Sequence, residues 1–330
     1  MLNFAIIGAG GMGRYHAHNL TTIPQARLAR VASHRLEDAE SLAAAHGARA
    51  CDADAIFQDP AIDVVLVTTS SEAHKEYVLR AAAAEKHVFC EKPIALHRED
   101  AEEMITACEQ AGVRFMVGHV VRFFPEFVRM KELLDEGHIG KPGVVRASRT
   151  TYFPRPHSDW YADFSRSGGP VLDLMLHDFD TLRWFFGEPQ RVFARSLTFA
   201  GYDHLDYALA TLRFESGMMA HVESSWAHRT TFRVRFEIAG DGGLITFDSQ
   251  ATMPVVVEKP AQRGQAAVAV PRNPLAEDPY AAELRHFCEH ILKDTPLRVT
   301  PSDARKALEV GLAALESIRT GQPVTLGGAS

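Results

Sequence analysis

Asp173, His177 and Lys92 are the side chains whose types and spacing could move a proton beside a cation. Asp173 and His177 lie four residues apart in a segment with helical composition, so both would point to the same side of a helix. A histidine with a pKa of about 6.5 exchanges its proton near neutral pH, and a nearby carboxylate can orient the ring or bind a substrate. The Lys92 ammonium could stabilise a developing alkoxide. The oxidation of a secondary alcohol by hydride transfer requires groups of these kinds.

A glycine-rich motif near the N-terminus predicts the binding site of the hydride acceptor. Residues 8–13 satisfy the pattern G-x-G-x-x-G between an apolar, strand-like run and a helical segment. Gly8 would allow a tight turn, Gly10 would let the backbone approach a pyrophosphate, and Gly13 would let helix and strand pack closely. The first N–H groups of the helix would face the phosphates. The motif therefore predicts a bound dinucleotide, with contacts from Gly8, Gly10, Gly11, Met12 and Gly13.

The residues after the second predicted strand favour NADP(H) over NAD(H). NAD-binding proteins usually carry an acid about 20 residues beyond the motif, where it accepts hydrogen bonds from the ribose hydroxyls. This chain has Ser33 there, followed by His34 and Arg35. Ser33 could donate a hydrogen bond to a 2′-phosphate, and Arg35 or a protonated His34 could neutralise it. The alternative is that Arg35 is a solvated residue at the start of the next helix and that NAD binds without an acid.

A metal site is a rival interpretation of the same region. Asp173, His177 and Asp180 could supply one set of ligands. His157 and Asp159 could supply another. Only one histidine lies on that helix face, and no HExxH pattern accompanies it, so the sequence predicts no metal.

The first 120 residues alternate short β-branched runs with longer amphipathic segments, a pattern typical of a doubly wound parallel sheet. The predicted strands are Phe4–Ile7, Leu28–Ala32, Val64–Thr68, His87–Cys90 and Arg114–Val117. The predicted helices lie near Met12–Leu20, Leu36–His46, Ala73–Ala84 and Glu99–Gln110. Lys92 would then follow the carboxyl end of a parallel strand, where open α/β sheets bind their ligands.

A different pattern follows residue 122. The predicted helices are Phe127–Asp135, Val171–Phe186, Tyr280–Leu292 and Ser302–Arg319, the last with Ser302 as its cap. Several strand-like runs are separated by turn residues, and they predict a mostly antiparallel sheet. These strands are Val144–Tyr152, Ala208–Phe214, Ala220–Trp226, Arg233–Ala239 and Leu244–Phe247. We therefore expect an α/β domain at residues 1–121 and an α+β domain at residues 122–330.

The composition argues against several classes of partner. Of the 330 residues, 35 are Lys or Arg and 42 are Asp or Glu, so the net charge is −7. No basic excess could neutralise a nucleic-acid backbone, and no apolar run approaches the roughly 20 residues of a membrane span. The four cysteines are scattered, without a CxxC pair. We expect a cytoplasmic protein with reduced thiols and with no nucleic-acid or membrane partner.

Taken together, the motifs resemble those of the Gfo/Idh/MocA oxidoreductases, named for glucose-fructose oxidoreductase, inositol dehydrogenase and a rhizopine-catabolism protein. The resemblance covers nearly the whole chain. It rests on the glycine motif, Thr69 to His74, Glu91-Lys92-Pro93, Gly118 to Pro125, and Gly168-Gly169 through Gly187 with Asp173 and His177 inside. It implies a Rossmann domain followed by a domain with a large, mostly antiparallel sheet.

The resemblance implies a role for each matching residue. Lys92 would be the catalytic lysine, His177 would take the hydroxyl proton, and Asp173 would hydrogen-bond the substrate. Glu91 would line the nicotinamide side of the site. The remaining cofactor contacts would come from Thr69, Ser71 and His74. The family usually has Pro-Asn where this chain has Ser70-Ser71.

Aromatic and cationic side chains in loops are the candidates for binding the substrate. Aromatic rings stack on the C–H faces of sugars, and arginine and histidine bind hydroxyls or carboxylates. With Asp173 and His177, the candidates are Arg122, Tyr152, Arg155, His157, Trp160 and Tyr280. His119 stands where relatives often carry a polar amide, and could touch ligand or cofactor.

The sequence thus predicts an NAD(P)-dependent oxidoreductase acting on a secondary alcohol or ketone of a sugar, inositol or related polyol. One alternative is a catalytically silent, cofactor-binding sensor of the same fold, and another is an NAD-dependent glycosidase. A pure sensor would need none of Lys92, Asp173 and His177. The resemblance also implies a homodimer or homotetramer formed through the outer face of the second sheet, for which Ala220–Ala239 is the candidate surface.

Overall fold

The computed structural model describes residues 1–154, 160–198, 206–228, 231–251 and 277–327. The chain divides into two compact units. The first contains Met1–Phe123 and Glu277–Arg305, and the second contains Phe124–Ala276 and Lys306–Ser330. The chain first passes from one unit to the other after Phe123, two residues beyond the domain boundary expected after residue 121. The expectation of one domain from residue 122 to the end differs from this division, because Glu277–Arg305 packs with the first unit.

The first unit is built on a six-stranded parallel sheet with the strand order β3-β2-β1-β4-β5-β6. The strands are β1 Leu2–Ile7, β2 Ala26–Ala32, β3 Arg49–Ala50, β4 Val64–Val67, β5 His87–Glu91 and β6 Phe115–Gly118. β4 is buried along its whole length, as expected for a strand covered on both faces. The order reverses at β1, and ligands of such sheets bind beyond the carboxyl ends of the strands at this point.

The helices of this unit follow the strands. They are α1 Gly11–Leu20, α2 Leu36–Ala45, α3 Ala53–Gln58, α4 His74–Ala83 and α5 Arg98–Gln110, with α9 Pro279–Lys293 added from the far end of the chain. Two of them begin at side-chain caps. The Asp52 carboxylate accepts the N–H of Ala55 at 2.7 Å, and the Asp278 carboxylate accepts that of Tyr280 at 2.9 Å. Sequence analysis missed the short elements β3 and α3.

Helix α9 completes the core of the first unit. Leu284, Phe287 and Cys288 are fully buried in the cluster that contains Phe4 and Phe89 of the sheet. The rings of Phe89 and Phe287 have centroids 5.9 Å apart. Burying one such side chain contributes about 1.5–3 kcal/mol, which accounts for the packing of a C-terminal helix with the N-terminal sheet.

The second unit contains a seven-stranded sheet with the order β12-β11-β7-β10-β9-β8-β13. Its strands are β7 Pro142–Thr150, β8 Pro189–Leu197, β9 Tyr207–Phe214, β10 Met219–Ser225, β11 Arg233–Gly240, β12 Gly243–Asp248 and β13 Val324–Thr325. β7 and β10 are parallel, and the other neighbouring pairs are antiparallel. The alternation of buried and exposed residues in β9 shows that one face is covered. The fold class expected for both domains is thus confirmed.

The helices of the second unit are α6 Pro125–Asp135, α7 Phe164–Ser167 and α8 Leu176–Phe186. Helix α10, Pro301–Thr320, spans the point at which the chain passes from the first unit to the second. The prediction that Ser302 caps α10 is wrong. The Thr300 hydroxyl accepts the N–H of Asp303 at 3.1 Å, while the Asp303 carboxylate accepts the N–H of Thr300 at 3.0 Å. This reciprocal arrangement satisfies two backbone groups, which Ser302 would not do from inside the helix. No helix among the described residues is long and apolar enough to cross a bilayer.

Candidate functional site

The glycine motif forms a tight loop between β1 and α1. Gly8 has φ +111°, and a Cβ there would lie 2.6 Å from the Thr68 carbonyl oxygen. A Cβ on Gly13 would lie 2.0 Å from the Gly8 carbonyl oxygen. A Cβ on Gly10 would meet no atom within 4 Å. Gly8 and Gly13 are therefore required for packing, whereas Gly10 faces open space that a phosphate could enter.

The N-terminus of α1 is suited to an anion. Gly10 is the N-cap, no side chain caps the helix, and its first turn contains no acid. The first N–H groups of a helix lack helical acceptors and carry a partial positive charge. The Thr69 hydroxyl oxygen, beyond β4, is buried without a hydrogen-bond partner in the part of the chain that the structure describes. These groups fit the pyrophosphate and ribose of a dinucleotide.

Ser33, His34 and Arg35 follow β2, beside the glycine loop. Ser33 is half-buried, and His34 and Arg35 are exposed. The Arg35 guanidinium lies 3.4 Å from Glu37 and 3.6 Å from Asp38. Arg35 therefore forms exposed ion pairs with two carboxylates of helix α2.

Lys92 lies directly after β5, half-buried, and the Lys92-Pro93 peptide bond is cis. The neighbouring loops are joined by His74, whose Nδ1 lies 2.8 Å from the Pro93 carbonyl oxygen and whose Nε2 lies 3.3 Å from that of Thr69. Burial lowers the pKa of His74, against the effect of these hydrogen bonds. A neutral imidazole donates one proton, and the shorter distance favours the bond to Pro93. His74, predicted to contact the cofactor, is thus placed between two backbone segments.

Glu91 is buried next to Lys92 and contacts a histidine that sequence analysis did not select. The Nε2 atom of His16 lies 2.6 Å from Glu91 Oε1. The other oxygen, Oε2, accepts the backbone N–H of Lys92 at 3.2 Å. Burial raises the pKa of Glu91, but the His16 hydrogen bond and the nearby charges outweigh it, and the net pKa is lowered. Glu91 is therefore a carboxylate at neutral pH.

The second unit places Asp173 and His177 in a segment with an unexpected backbone. Val171–Met175 forms a π-helical turn that continues into α8, so Asp173 lies in a wider turn than His177. From Val171 to Arg183, every residue is buried except these two, which are half-buried. π-turns within helices are frequent at functional sites. That both side chains point to the same side of the helix stays a prediction.

Two glycines permit the chain to enter this segment. Gly168 and Gly169 have φ values of +70° and +64°. A Cβ on Gly168 would lie 2.5 Å from the Leu172 side chain, and one on Gly169 would lie 3.2 Å from Phe164. Both positions therefore need glycine for their backbone conformation and for the space that it leaves.

A buried ion pair, which sequence analysis also missed, joins helix α8, which carries His177, to strand β7 of the second sheet. Arg149 of β7 and Asp178 of α8 are both buried, and Nη2 lies 2.8 Å from Oδ1. The signal in the sequence was weak, because a charged residue next to a candidate site is usually solvated. By contrast, Asp180, considered as a metal ligand, is buried with its Oδ1 3.8 Å from the Arg183 guanidinium.

The candidate substrate residues occupy different surroundings. Arg122 is buried, donates to the Arg298 carbonyl oxygen at 2.9 Å, and lies 3.5 Å from Asp303. His119, next to it in the chain, is also buried. The ring of Tyr280 packs edge-on against Tyr15 in the first unit.

In the second unit, Tyr152 forms a β-bridge with Ala227, and Trp160 lies with its ring centroid 4.0 Å from that of Tyr161. Tyr161 borders a buried cluster of Phe153, Leu174 and Trp226. Arg155 and His157 lie outside the described residues. Within the described part of the chain, no group of three His, Cys, Asp or Glu side chains could hold a metal ion.

Two family models match the chain. The model of the oxidoreductase family with an NAD-binding Rossmann fold matches residues 2–119. The model of the GFO/IDH/MocA C-terminal domain matches residues 127–246. The two models together span the sheets of both units apart from the end of β12 and the short strand β13.

Full-length relatives agree with these models. Myo-inositol 2-dehydrogenase of Thermotoga maritima is 32% identical over 335 residues, covering 98% of each chain. The scyllo-inositol 2-dehydrogenase (NAD(+)) of Bacillus subtilis is 31% identical over 333 residues, covering 98% of this chain and 95% of the relative. The crystal structure of GenD2 from gentamicin A biosynthesis in complex with NAD has a TM-score of 0.88 at 27% identity, covering 99% of this chain and 97% of the other. The chain therefore belongs to the Gfo/Idh/MocA family of oxidoreductases, with an NAD-binding Rossmann domain at its N-terminus.

Proposed function

We propose that this protein is an NAD(P)-dependent dehydrogenase or reductase that acts on a secondary alcohol of an inositol, sugar or related polyol. The observation that carries the proposal is the partial exposure of Asp173 and His177, the two half-buried residues of the otherwise buried segment from Val171 to Arg183. A histidine and a carboxylate that are partly exposed in such a segment suit catalysis better than packing. The inositol dehydrogenases among the relatives support the class of substrate.

The proposed mechanism assigns one task to each side chain. A bound nicotinamide dinucleotide supplies the hydride acceptor at its C4 atom. His177 accepts the hydroxyl proton as the carbinol carbon loses its hydride, and the Lys92 ammonium donates a hydrogen bond to the oxygen as charge develops on it. Asp173 accepts a hydrogen bond from the substrate and orients it. In the reverse reaction the imidazolium of His177 returns the proton.

The proposed cofactor residues lie at the carboxyl end of the first sheet. The glycine loop, Gly8 to Gly13, would hold the pyrophosphate, with Gly11 and Met12 supplying N–H groups of the first helical turn. Thr69, Ser71 and Glu91 would border the nicotinamide ribose. His74 would act by fixing the backbone of that border, in keeping with its two carbonyl neighbours.

We also propose that the adenosine site accepts NADP(H) in preference to NAD(H). Ser33 stands where an acid would repel a 2′-phosphate, and Arg35 and His34 are nearby cations or potential cations. The pairs of Arg35 with Glu37 and Asp38 are exposed, and such pairs are worth about 0–1 kcal/mol. A phosphate dianion could therefore displace them. Arg35→Ala should then lower kcat/KM for NADP about tenfold and leave that for NAD unchanged.

The outer face of the second sheet is the proposed site of homo-oligomer formation. Leu209 of β9 and Met219 of β10 point away from the core and are 41% and 43% exposed. Beside them lies a hollow of about 620 Å³, lined in part by Arg146, His221 and Glu237. Leu209→Glu should reduce the molar mass measured by light scattering. Leu292→Glu, at an exposed leucine of α9, is the matched control.

We also propose substrate contacts from four residues that follow β7 in the chain, Tyr152, Arg155, His157 and Trp160, and from Arg122 and Tyr280. Aromatic faces suit the C–H groups of a sugar ring, and cationic groups suit hydroxyls. We place the enzyme in the cytoplasm, where nicotinamide dinucleotides are available.

The decisive experiment is a dehydrogenase screen of inositols, monosaccharides and aldonic acids, with NAD and NADP in parallel. Reduction of the cofactor by at least one polyol, lost in His177→Ala, supports the proposal. Binding of cofactor without turnover of any polyol would favour the silent sensor. Bond cleavage in a glycoside, with no cofactor exchanged with the solvent, would favour the glycosidase.

A further inference from the structure

The first helix after the glycine loop carries a fully buried histidine. His16 lies on α1 and is 0% exposed. Its ring packs edge-on against Phe89 and Tyr280, with centroids 5.5 Å and 5.9 Å away. Its Nε2 atom lies 2.6 Å from Glu91 Oε1. A buried imidazole in such apolar surroundings is costly unless its polar atoms are used. Among the described residues Nδ1 has no hydrogen-bond partner, so the Nε2 contact with Glu91 is the reason to ask what His16 does.

The Glu91 carboxylate is fixed by its other contacts. Its second oxygen accepts the backbone N–H of Lys92 at 3.2 Å. Both oxygens would be 3.4 Å from a Cβ placed on Gly118, so the carboxylate lies directly against the backbone of β6. A continuous chain of hydrogen bonds therefore runs from α1, through Glu91, to the peptide nitrogen that precedes the Lys92 side chain.

The geometry points to His16 as a positioning residue for the reaction: through Glu91, it fixes the backbone from which the Lys92 side chain extends. The inference rests on the proposed function, in which Lys92 is a catalytic residue. His16 touches neither substrate nor reacting atoms in this scheme. Its effect reaches Lys92 because Glu91 is the shared partner of the His16 ring and the Lys92 peptide. Displacement of a catalytic group by about 1 Å can cost up to about 100-fold in rate.

The charge on Glu91 depends on the same arrangement. Burial alone would raise its pKa, and the hydrogen bond and charge of His16, with Lys92, lower it. The other titratable groups that interact with Glu91 are His74 and the buried thiol of Cys90. Without His16, the carboxyl group should take up a proton at a higher pH, and the protonated group is a weaker acceptor for the Lys92 N–H.

The test compares four variants at saturating polyol and cofactor. His16→Phe removes the donor and keeps a ring. His16→Gln returns an N–H donor near the position of Nε2. Glu91→Gln removes the titrating group, and His18→Phe changes an exposed histidine on the same helix as the control. The measurements are kcat, its pH profile, the dissociation constant of NADH by fluorescence, and the urea midpoint.

We expect His16→Phe to lower kcat about tenfold or more and to shift the acid limb of its pH profile upward. NADH affinity should change less than about threefold, by comparison with the loss in kcat. His16→Gln should recover most of kcat, and His18→Phe should match the wild type. The double variant with His16→Phe and Glu91→Gln should have a kcat close to that of Glu91→Gln alone, since both changes interrupt one chain of contacts.

A second measurement does not depend on turnover. In protein labelled with ¹⁵N-histidine and free of cofactor, the His16 Nε2 proton should resonate far downfield and should move in Glu91→Gln. An unchanged signal would overturn the inference, as would wild-type kcat in a folded His16→Phe variant. If instead Lys92→Ala retains full turnover, the proposed catalytic assignment fails, whatever the His16 variants do.

Discussion

Arg149 and Asp178 form a buried ion pair one residue from His177. Nη2 of Arg149 lies 2.8 Å from Oδ1 of Asp178, and the two side chains are 5% and 0% exposed. Burial raises the pKa of Asp178, and the charge of Arg149 acts in the opposite direction. The pair joins β7 to α8 and thereby fixes the helix from which His177 extends.

Arg149→Met should destabilise the second unit by about 3 kcal/mol, because it leaves the Asp178 carboxylate buried and unpaired. The double variant Arg149→Met with Asp178→Leu should recover much of the lost free energy of unfolding, since neither charge of the pair is then left in the core. Arg129→Met is the control, because Arg129 forms an exposed pair with Glu132 in the same unit. Urea unfolding measures all three variants. Equal effects of Arg149→Met and Arg129→Met would contradict a structural role for the buried pair.

Gly10→Ala and Gly13→Ala should have opposite phenotypes. The added methyl at Gly13 would lie 2.0 Å from the Gly8 carbonyl oxygen and should lower the unfolding temperature. The added methyl at Gly10 enters open space, so the fold should persist while NADH affinity falls about tenfold or more. Calorimetry and NADH fluorescence separate the two effects. Normal NADH binding by Gly10→Ala would show that the phosphates lie elsewhere.

Lys92→Ala and His177→Ala should each lower kcat by about 100-fold or more. Their NAD(P)H dissociation constants should change little, because the lost interactions are made in the transition state. His138→Ala is a suitable control, since His138 is exposed and pairs with Glu136. Steady-state kinetics and cofactor titration supply the measurements. Near-normal turnover in either variant would remove that residue from the mechanism.

Asp248 should make a small, pH-dependent contribution to stability. The Arg233 guanidinium, with further hydrogen bonds, lowers the pKa of Asp248 from 3.8 to about 2. A lowered pKa in the folded state means that the stabilisation is present above the unfolded value of about 4 and is lost as the pH falls toward 2. Asp248→Asn should therefore cost up to about 1 kcal/mol near pH 7. Urea unfolding should show the difference shrinking below pH 4, and a difference that grows instead would refute this sign.

The doubly wound sheet could be predicted from sequence because its strands are short β-branched runs with glycine or helical signals between them. The region around Asp173 was harder. Four-residue spacing predicts a continuous α-helix, and no residue type distinguishes it from the π-turn at Val171–Met175. The partial exposure of Asp173 and His177 within a buried segment could not be predicted from the four-residue spacing alone.

The role of His16 could not be predicted from the sequence, because it depends on a contact with a distant residue. A histidine near a cofactor loop is most often solvated or locally hydrogen-bonded, so residue type alone does not single out His16. Its position four residues before Leu20, on the apolar side of the helix, was the available signal. The partner, Glu91, is 75 residues away along the chain, and only the tertiary fold pairs them.

The discontinuous first unit has a consequence for biosynthesis. The polypeptide leaves this unit after Phe123 and returns to it at Glu277, where α9 brings Phe287 against Phe89. A ribosome must therefore translate most of the second unit before the nucleotide-binding sheet receives its last helix. Until then the surface that α9 will cover is apolar and open to water, a state prone to aggregation and to capture by chaperones. Rapid folding of the second unit would shorten neither this wait nor the exposure, because both end only when the segment from Glu277 to Arg305 has emerged.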